Sequence, residues 1–365
     1  MTEKENAMSK EKKIRLGLVR CSDIHGYYYA VMLADYDPML LLEKYYIVQY
    51  YASNIYDPKK ITIPKVPGFD LVKVWDYDPD RARTFAQVFN NKPQVCETLD
   101  EMTEGIDAVF ISNGERNGSD HLKLATPFLK KGIPTFVDKP FSSNVKDAQA
   151  MVKLATKYHA PLFNASILTY VPAAEFFRQR FAEITHAYYP VPDEKPDHPI
   201  GLGVVKGVGG TFSQELGGKG VSGGLEDRMA YLIHGVSLGL NLFGMGVEWV
   251  EAMGEQPLEY IHLRMKTGMD VMILNTSTKV FPESCSFYAS AYSKYGAVHS
   301  NPIGDPEFIG GAEKILRMFK KMVQTKKPPV PYRNFLEHIA IIEAAQRAQK
   351  QGKRIYLSEV WNEKE

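Results

Sequence analysis

The sequence predicts the α/β class, with a Rossmann-like doubly wound parallel sheet in the N-terminal part and an antiparallel sheet in the C-terminal part. Short apolar runs alternate with helical patterns as far as Pro140, which is the signature of a doubly wound parallel sheet. From Val247 to Ser293, several runs alternate apolar and polar residues, which indicates an antiparallel sheet. The length of 365 residues suits two domains of ordinary size.

Apolar, β-branched runs predict the strands of the first sheet: Ile14–Val19, Leu71–Trp75, Ala108–Ile111 and Ile133–Val137. The helices expected between these strands are Tyr27–Leu41, Pro79–Phe89, the short Thr98–Met102 and Ser119–Lys131. A proline near the start of the second helix and Gly132 after the last are typical terminal residues. We interpret residues 1–12 as a disordered charged tail and residues 37–69 as an insertion, in which Tyr46–Tyr51 and Ile61–Ile63 are candidates for a small hairpin.

Beyond Pro140 the pattern changes to longer helices and alternating runs. The predicted helices are Val145–Tyr158, Ala173–Arg180, Gly224–Phe243, Ala312–Gln324 and Phe335–Lys350. The predicted strands are Val247–Ala252, Tyr260–Met265, Asp270–Asn275 and Ser286–Ala291. Residues 185–222 are dense in Gly and Pro and have little periodicity, so no regular element is predicted there.

Composition argues against several classes of protein. A formal net charge of +1 disfavours a protein that binds nucleic acid or a membrane surface. The charged start has no apolar region of a signal peptide, and no apolar run reaches the length of a membrane span. Cys21, Cys96 and Cys285 are far apart and have no zinc-site spacing, so we expect a cytoplasmic protein without disulfides or a bound metal.

The leading candidate for a catalytic residue is Lys139. It follows the buried strand Ile133–Val137 and stands between Asp138 and Pro140. Ligands of open α/β sheets bind at the carboxyl ends of the strands, so Lys139 is delivered to the place where chemistry is expected. The alternative is a surface lysine after a core strand.

The turn after the first strand is where a dinucleotide fingerprint would lie. Arg20, Ser22 and His25 occupy the positions of its three glycines, and Asp23 places an acid at a helix N-terminus. An acid there repels phosphate, whereas Arg20 supplies a positive charge and the helix amides remain. We expect the turn to line a cofactor site through Arg20, Cys21, Ser22, Asp23 and Ile24. The alternative is a fold that has kept the turn and lost the ligand.

Two further strand ends carry polar residues that suit a dinucleotide. Asp76 ends the second strand, where an acid commonly binds the ribose hydroxyls and favours NAD over NADP. Ser112 and Asn113 follow the strand that ends at Ile111, and small or amide side chains there suit a nicotinamide ribose. The alternative in both places is an ordinary polar turn.

The predicted helix Gly224–Phe243 carries a second candidate for acid–base chemistry. Asp227, Tyr231 and His234 are spaced i, i+4 and i+7, so they share one face of the helix. An acid, a phenol and an imidazole on one stripe could form a proton relay. The alternative is a structural histidine.

Several of these segments together resemble a known family. They are the opening Lys13–Val19, the strand that ends in Asp138-Lys139-Pro140, and the Gly223-Gly224 segment that leads to His234. This pattern resembles the glucose–fructose oxidoreductase / inositol dehydrogenase (Gfo/Idh/MocA) family. The tail Phe335–Leu357, with Glu343-Ala344-Ala345 and Gly352-Lys353-Arg354, is similar to that family's closing helix and strand. The resemblance covers nearly the whole chain.

The resemblance implies a Rossmann domain at residues 1–142 that binds NAD or NADP, and a second α/β domain at residues 143–365. The second domain is expected to have an open, mainly antiparallel sheet that serves as an interface in a homodimer or homotetramer. Its last helix is expected to pack back on the first domain. The substrate is expected to be a small molecule.

The resemblance also implies roles for single residues. Asp138-Lys139-Pro140 matches the family's Glu-Lys-Pro motif, so Lys139 is the expected catalytic lysine, and His234 matches the catalytic histidine. His121 matches a histidine often found after the fourth strand. The family's acid four residues before the histidine is replaced by Ala230, for which Asp227 or Tyr231 could substitute. The arginine common after the Phe163-Asn164 strand is absent.

The leading hypothesis is therefore an NAD(P)-dependent oxidoreductase that acts on a hydroxyl or ketone of a sugar, polyol or related compound. His234 would act as general base on the hydroxyl, and Lys139 would stabilise the developing alkoxide. One alternative is a non-catalytic sensor or regulatory protein that retains the fold. Another is a lyase or epimerase that uses the cofactor without net redox change.

Overall fold

A computed structural model describes residues 12–44, 63–112, 117–185, 200–209, 228–255, 258–277, 287–293 and 296–361 of the chain. Residues 1–11 of the predicted tail, the hairpin candidate Tyr46–Tyr51, the first two residues of the candidate Ile61–Ile63, Asn113 and Asp227 lie outside these ranges. No helix in these ranges is long and apolar enough to cross a bilayer. They also contain no cluster of three or more His, Cys, Asp or Glu residues that could hold a metal ion.

The first sheet has six parallel strands in the order β3-β2-β1-β4-β5-β6. Its strands are β1 (Ile14–Val19), β2 (Phe69–Trp75), β3 (Gln94–Val95), β4 (Ala108–Ile111), β5 (Thr135–Val137) and β6 (Leu162–Phe163). This is the strand order of a dinucleotide-binding fold, and it confirms the predicted doubly wound sheet. Every residue of β4 and β5 is buried, as expected for strands that helices cover on both faces.

Helices connect these strands: α1 (Ile24–Leu33), α2 (Pro79–Val88), α3 (Leu99–Met102), α4 (His121–Lys130) and α5 (Val145–Lys157). The single helix predicted over Tyr27–Leu41 is wrong, because α1 ends at Leu33 and helical structure resumes at residue 38. Asp37 begins this second helical segment, since its Oδ1 accepts from the backbone N–H groups of Met39 and Leu40 at 2.8 and 3.1 Å.

The second sheet has seven strands in the order β12-β11-β7-β10-β9-β8-β13, with all pairs antiparallel except β7 with β10. Its strands are β7 (Ile200–Gly209), β8 (Val247–Glu255), β9 (Leu258–Met265), β10 (Asp270–Ser277), β11 (Tyr288–Ser293), β12 (Gly296–His299) and β13 (Ile355–Tyr356). The mainly antiparallel prediction is confirmed. The absence of an element in 185–222 is wrong, because β7 lies inside the sheet; its four glycines diluted the strand signal.

The remaining helices are α6 (Pro172–Thr185), α7 (Arg228–Phe243), α8 (Asp305–Thr325), α9 (Tyr332–Gln351) and α10 (Leu357–Trp361). Ring contacts tie two of these helices to the first sheet or the segment after it. Phe319 of α8 lies 5.9 Å from Phe69 of β2, ring to ring, and Phe335 of α9 lies 4.6 Å from Phe141 after β5. The first contact lies at the amino end of the first sheet, and the second lies beyond its carboxyl end, near Lys139.

Candidate active site

Lys139 lies where the sequence predicts it, directly after β5 at the carboxyl edge of the first sheet. Its side chain is buried, Asp138 before it is fully buried, and the Lys139–Pro140 peptide bond is cis. Asn164, just after β6, donates from Nδ2 to the backbone oxygens of Val137 and Asp138 at 2.8 and 3.0 Å. The neighbouring strand therefore holds the segment that delivers Lys139.

Asp138 pairs with a histidine from the first turn of α1. The Oδ2 atom of Asp138 lies 2.5 Å from Nδ1 of His25, and its Oδ1 accepts from the Lys139 backbone N–H at 2.7 Å. Burial alone would raise the pKa of Asp138, but His25, Lys139 and these hydrogen bonds outweigh burial and hold the pKa below the ordinary value. Asp138 is therefore an ionised carboxylate between two basic side chains.

His234 extends from α7 toward the same edge. Its Nδ1 lies 2.9 Å from the hydroxyl of Ser166, which follows β6. Burial, and then the charges of Lys139 and His25, lower the pKa of His234 well below its ordinary value. His234 is therefore neutral at neutral pH, and it lies close enough to Lys139 for the lysine charge to lower its pKa.

The turn after β1 is built around Arg20 and Gly26. Arg20 has a left-handed backbone with φ of 60°, a conformation that usually favours glycine. A Cβ at Gly26 would lie 2.4 Å from the carbonyl oxygen of Cys21, so α1 and the end of β1 approach too closely for any side chain there. The three glycine positions considered from the sequence leave out Gly26, which serves the helix–strand packing role one residue after His25.

Asp23 and Cys21 of this turn have structural partners. Asp23 is the N-cap of α1, and its Oδ2 accepts from the His25 N–H at 3.1 Å, while Ile24 is the first helical residue. Burial raises the pKa of Asp23. Burial, followed by the charge of Asp76, raises the pKa of the buried Cys21 thiol well above its ordinary value, so Cys21 stays protonated and unreactive.

Asp76 lies at the end of β2, and its carboxylate binds this turn. Its Oδ2 accepts from Ser22 twice, from the backbone N–H at 3.1 Å and from the hydroxyl at 2.6 Å. Its Oδ1 accepts from Arg20 Nη1 at 3.3 Å. The guanidinium of Arg20 also lies 3.6 Å from Asp120 and 4.8 Å from the ring centre of Tyr77. Asp76 is the residue predicted to bind a cofactor ribose. Both of its carboxylate oxygens already accept hydrogen bonds from the protein.

Buried polar atoms without hydrogen bonds lie after β4. The hydroxyl of Ser112 and Nε2 of His121 are both buried and have no hydrogen-bond partner among the described residues. Nδ1 of His121 donates to the carbonyl oxygen of Phe141 at 3.3 Å, so Nε2 is left as an acceptor. Burial lowers the pKa of His121, which keeps the ring neutral. These two atoms fit a ligand that carries hydroxyl groups, such as a cofactor ribose.

The predicted stripe of Asp227, Tyr231 and His234 is described only in part. Helix α7 begins at Arg228, Asp227 lies outside the described residues, and so does the side chain of Tyr231. The proton relay through these residues stays a prediction. The described partner of His234 is instead Ser166, which no local pattern in the sequence indicates because it lies 68 positions away.

Comparison with known proteins agrees with this architecture. Residues 46–166 match the family model described as an oxidoreductase family with an NAD-binding Rossmann fold, GFO_IDH_MocA. Over 109 residues the chain is 28% identical to scyllo-inositol 2-dehydrogenase (NADP(+)) of Bacillus subtilis, which is 29% of this chain and 32% of that protein. The chain thus matches about a third of the length of this curated relative.

Solved structures share the fold over nearly the whole chain. Myo-inositol dehydrogenase from Lactobacillus casei, in complex with NAD(H) and myo-inositol, aligns over 94% of this chain and 96% of its own, with a TM-score of 0.69 and 14% identity. A myo-inositol dehydrogenase from Corynebacterium glutamicum aligns over 94% and 99%, with a TM-score of 0.65 and 13% identity. These structures show the fold over nearly the whole chain, and the family model matches residues 46–166, which include β2 to β6 of the first sheet.

Proposed function

We propose that this chain is an NAD(P)-dependent oxidoreductase that interconverts a hydroxyl and a ketone of a polyol, sugar or related small molecule. The observation that carries the proposal is the convergence of Lys139 and His234 at the carboxyl edge of a six-stranded parallel sheet. A buried lysine and a neutral imidazole at one point can address the oxygen of a substrate carbon that gains or loses hydride.

The residues at the strand ends support a dinucleotide cofactor. Ser112 and His121 offer a buried hydroxyl and a buried ring nitrogen without hydrogen-bond partners in the described part of the chain, and ribose hydroxyls would satisfy them. Gly26 allows α1 to begin close to the end of β1, so the helix amides face the place where a pyrophosphate binds in this fold. The bound nicotinamide would supply hydride transfer.

The preference between NAD and NADP depends on whether Asp76 binds the cofactor ribose or only Ser22 and Arg20 of the protein. The sequence prediction favours NAD, because an acid at this strand end binds ribose hydroxyls. In the structure Asp76 already accepts from Ser22 and Arg20, and the Arg20 guanidinium stands beside it. The curated relative from Bacillus subtilis carries NADP(+) in its name. We therefore propose NAD(P) as the cofactor, and a titration with all four nucleotides distinguishes the two.

The substrate class is proposed from the chemistry of the site and from the relatives. Several relatives are inositol dehydrogenases by name, and inositols are cyclic polyols. A polyol hydroxyl attached to a C–H carbon provides both the hydride and the oxygen that Lys139 and His234 would contact. A cyclitol or sugar is therefore the first class to screen.

An oligomer is proposed from the second sheet, one face of which is covered by α7 and α9. The opposite face carries exposed large side chains: Met253, Tyr260, Tyr288, Tyr292 and Tyr356. Exposed aromatic and methionine side chains on one sheet face suit a protein interface. We propose a homo-oligomer that forms through this face.

A non-catalytic sensor is the second candidate, because protein side chains already bind two groups that a dinucleotide would contact: the N-terminus of α1 and the carboxylate of Asp76. Asp23 caps the N-terminus of α1 with a carboxylate, and Asp76 accepts from Ser22 and Arg20. In such a protein the cleft would bind a small molecule without a hydride carrier. A lyase or epimerase with transient redox is a third candidate, and a net change in nicotinamide absorbance with substrate counts against it.

The first test is a titration of cofactor-stripped protein with NAD, NADH, NADP and NADPH. Melting temperature and reduced-nicotinamide fluorescence report binding without any need for a substrate. A shift with one oxidised and reduced pair supports the oxidoreductase and identifies the cofactor, after which a cyclitol and sugar screen follows. No shift with any of the four nucleotides makes the sensor the better hypothesis.

A further inference from the structure

One short segment contacts both the His234 side chain and the backbone next to Lys139. Asn164 hydrogen-bonds the backbone of Val137 and Asp138, next to Lys139, at 2.8 and 3.0 Å. Ser166, two residues later, places its hydroxyl 2.9 Å from Nδ1 of His234. The segment after β6 therefore sets the position of Lys139 from one side and of His234 from the other.

This segment is firmly packed. Ser166 precedes a single 3₁₀ turn, Ile167–Thr169, and its side chain makes no capping hydrogen bond to that turn. A Cβ at Gly311 of α8 would lie 2.5 Å from the carbonyl oxygen of Ile167, so the turn and the helix are in backbone contact. The Ser166 hydroxyl, which would ordinarily cap the turn, is directed to His234 instead.

The direction of the Ser166–His234 hydrogen bond follows from the partners available. Ser166 is 3% exposed, and its hydroxyl has no other hydrogen-bond partner among the described residues. If Nδ1 of His234 carried the proton, the Ser166 hydroxyl proton would be buried without an acceptor in the described part of the chain, which is unfavourable. If Nδ1 is unprotonated, it accepts that proton, and the proton of the neutral ring lies on Nε2.

We propose that Ser166 is a positioning residue that donates to Nδ1 of His234 and so fixes the neutral imidazole as the Nε2–H tautomer. His234 then serves as a hydrogen-bond donor to the substrate oxygen rather than as a general base. A neutral imidazole in this role polarises a carbonyl. The low pKa of His234 agrees with a ring that stays neutral.

This tautomer leaves Lys139 as the group that exchanges a proton with the substrate. In carbonyl reduction, the carbonyl carbon accepts a hydride, the π electron pair moves to oxygen, and the oxygen takes a proton from Lys139 Nζ. Lys139 becomes a neutral amine and is reprotonated from solvent. His234 keeps its proton throughout. The hydride source is reduced nicotinamide, and to that extent the inference rests on the proposed function.

The tautomer can be measured directly, without nucleotide or substrate, by ¹H–¹⁵N NMR of the histidine ring nitrogens in the intact 365-residue chain. The chain has nine histidines, and the signals lost in His234→Gln assign the ring. The wild type should show a protonated Nε2 and an unprotonated Nδ1. Ser166→Ala should lower the ratio of the Nε2–H to the Nδ1–H form by roughly tenfold, the effect of one net hydrogen bond.

Two control variants complete the test. Ser166→Thr retains the hydroxyl and should retain the tautomer, even if Ser166→Ala is too unstable to study. Ser237→Ala removes another buried hydroxyl from α7, one turn from His234, and should leave the ratio unchanged. An Nδ1–H tautomer in the wild type overturns the proposal, as does an unchanged ratio in Ser166→Ala. Failure to bind any nucleotide would count against the proposed function. It would not affect the NMR test of the tautomer, which needs no nucleotide.

Discussion

The Nδ1 atom of His25 lies 2.5 Å from Oδ2 of Asp138, which joins the first helix to the strand end that carries Lys139. The two residues are 113 positions apart, and Asp138 is fully buried. A buried carboxylate needs a partner, and His25 provides one from the turn where this fold usually has glycine. The His25–Asp138 pair therefore connects the start of α1 to the segment that carries Lys139.

Replacement of His25 by Ala should destabilise the protein by about 2–3 kcal/mol, since it removes a hydrogen bond to a charged, buried carboxylate. The change is measured by urea unfolding at pH 7. Arg15→Ala is a matched control, because its ion pair with Asp107 is solvent-exposed and its loss should have a much smaller effect. Equal decreases in the free energy of unfolding for the two substitutions would show that the buried His25–Asp138 pair stabilises the fold no more than an exposed ion pair does.

The same pair gives a pH dependence with a definite sign. The folded protein holds the pKa of Asp138 below its ordinary value, so the unfolded chain binds a proton more readily. Its contribution to stability is therefore complete above the unfolded carboxyl pKa of about 3.9 and is lost as pH falls below it. Asp138→Asn should flatten that acidic loss in urea unfolding between neutral and acidic pH, and an unchanged slope would contradict the assignment.

Gly26→Ala tests the close approach of α1 and β1. A Cβ 2.4 Å from the Cys21 carbonyl oxygen must displace backbone, and overpacking of this kind costs about 1–3 kcal/mol. Gly17→Ala is the control, because its added Cβ first meets the flexible end of Met102 at 3.0 Å. We expect Gly26→Ala to lower the melting temperature more than Gly17→Ala does. We also expect nucleotide to raise the melting temperature of Gly26→Ala by less.

Ser112→Ala should act in opposite directions on stability and on binding. The hydroxyl is buried without a partner among the described residues, so its removal should leave the free protein equally stable or more stable. If the hydroxyl meets a cofactor ribose, nucleotide affinity should fall by roughly tenfold, about 1.4 kcal/mol. Thermal melting and fluorescence titration measure the two effects. Lower stability with unchanged affinity would assign Ser112 to the fold alone.

The first sheet was predictable because its strands are short, apolar and regularly spaced, so Lys139 could be placed at a strand end from the sequence. The partners at the site were not predictable. His25 with Asp138, and Ser166 with His234, are far apart in the chain, and nothing in local periodicity indicates such contacts. Strand β7 was missed because its glycines weaken the pattern that an interior strand usually shows.

Lys139→Ala should lower turnover by about 10²–10⁴-fold or more, since it removes the charge that meets the substrate oxygen. The fold should persist, because Asn164 and His25 still hold the backbone and side chain of Asp138. Lys139→Met preserves most of the side-chain volume and separates loss of charge from loss of packing. The measurement is turnover on the substrate found in the cyclitol screen, with circular dichroism and nucleotide binding on the same preparations. Full activity in Lys139→Met would remove Lys139 from the chemistry and leave His234 alone at the reacting oxygen.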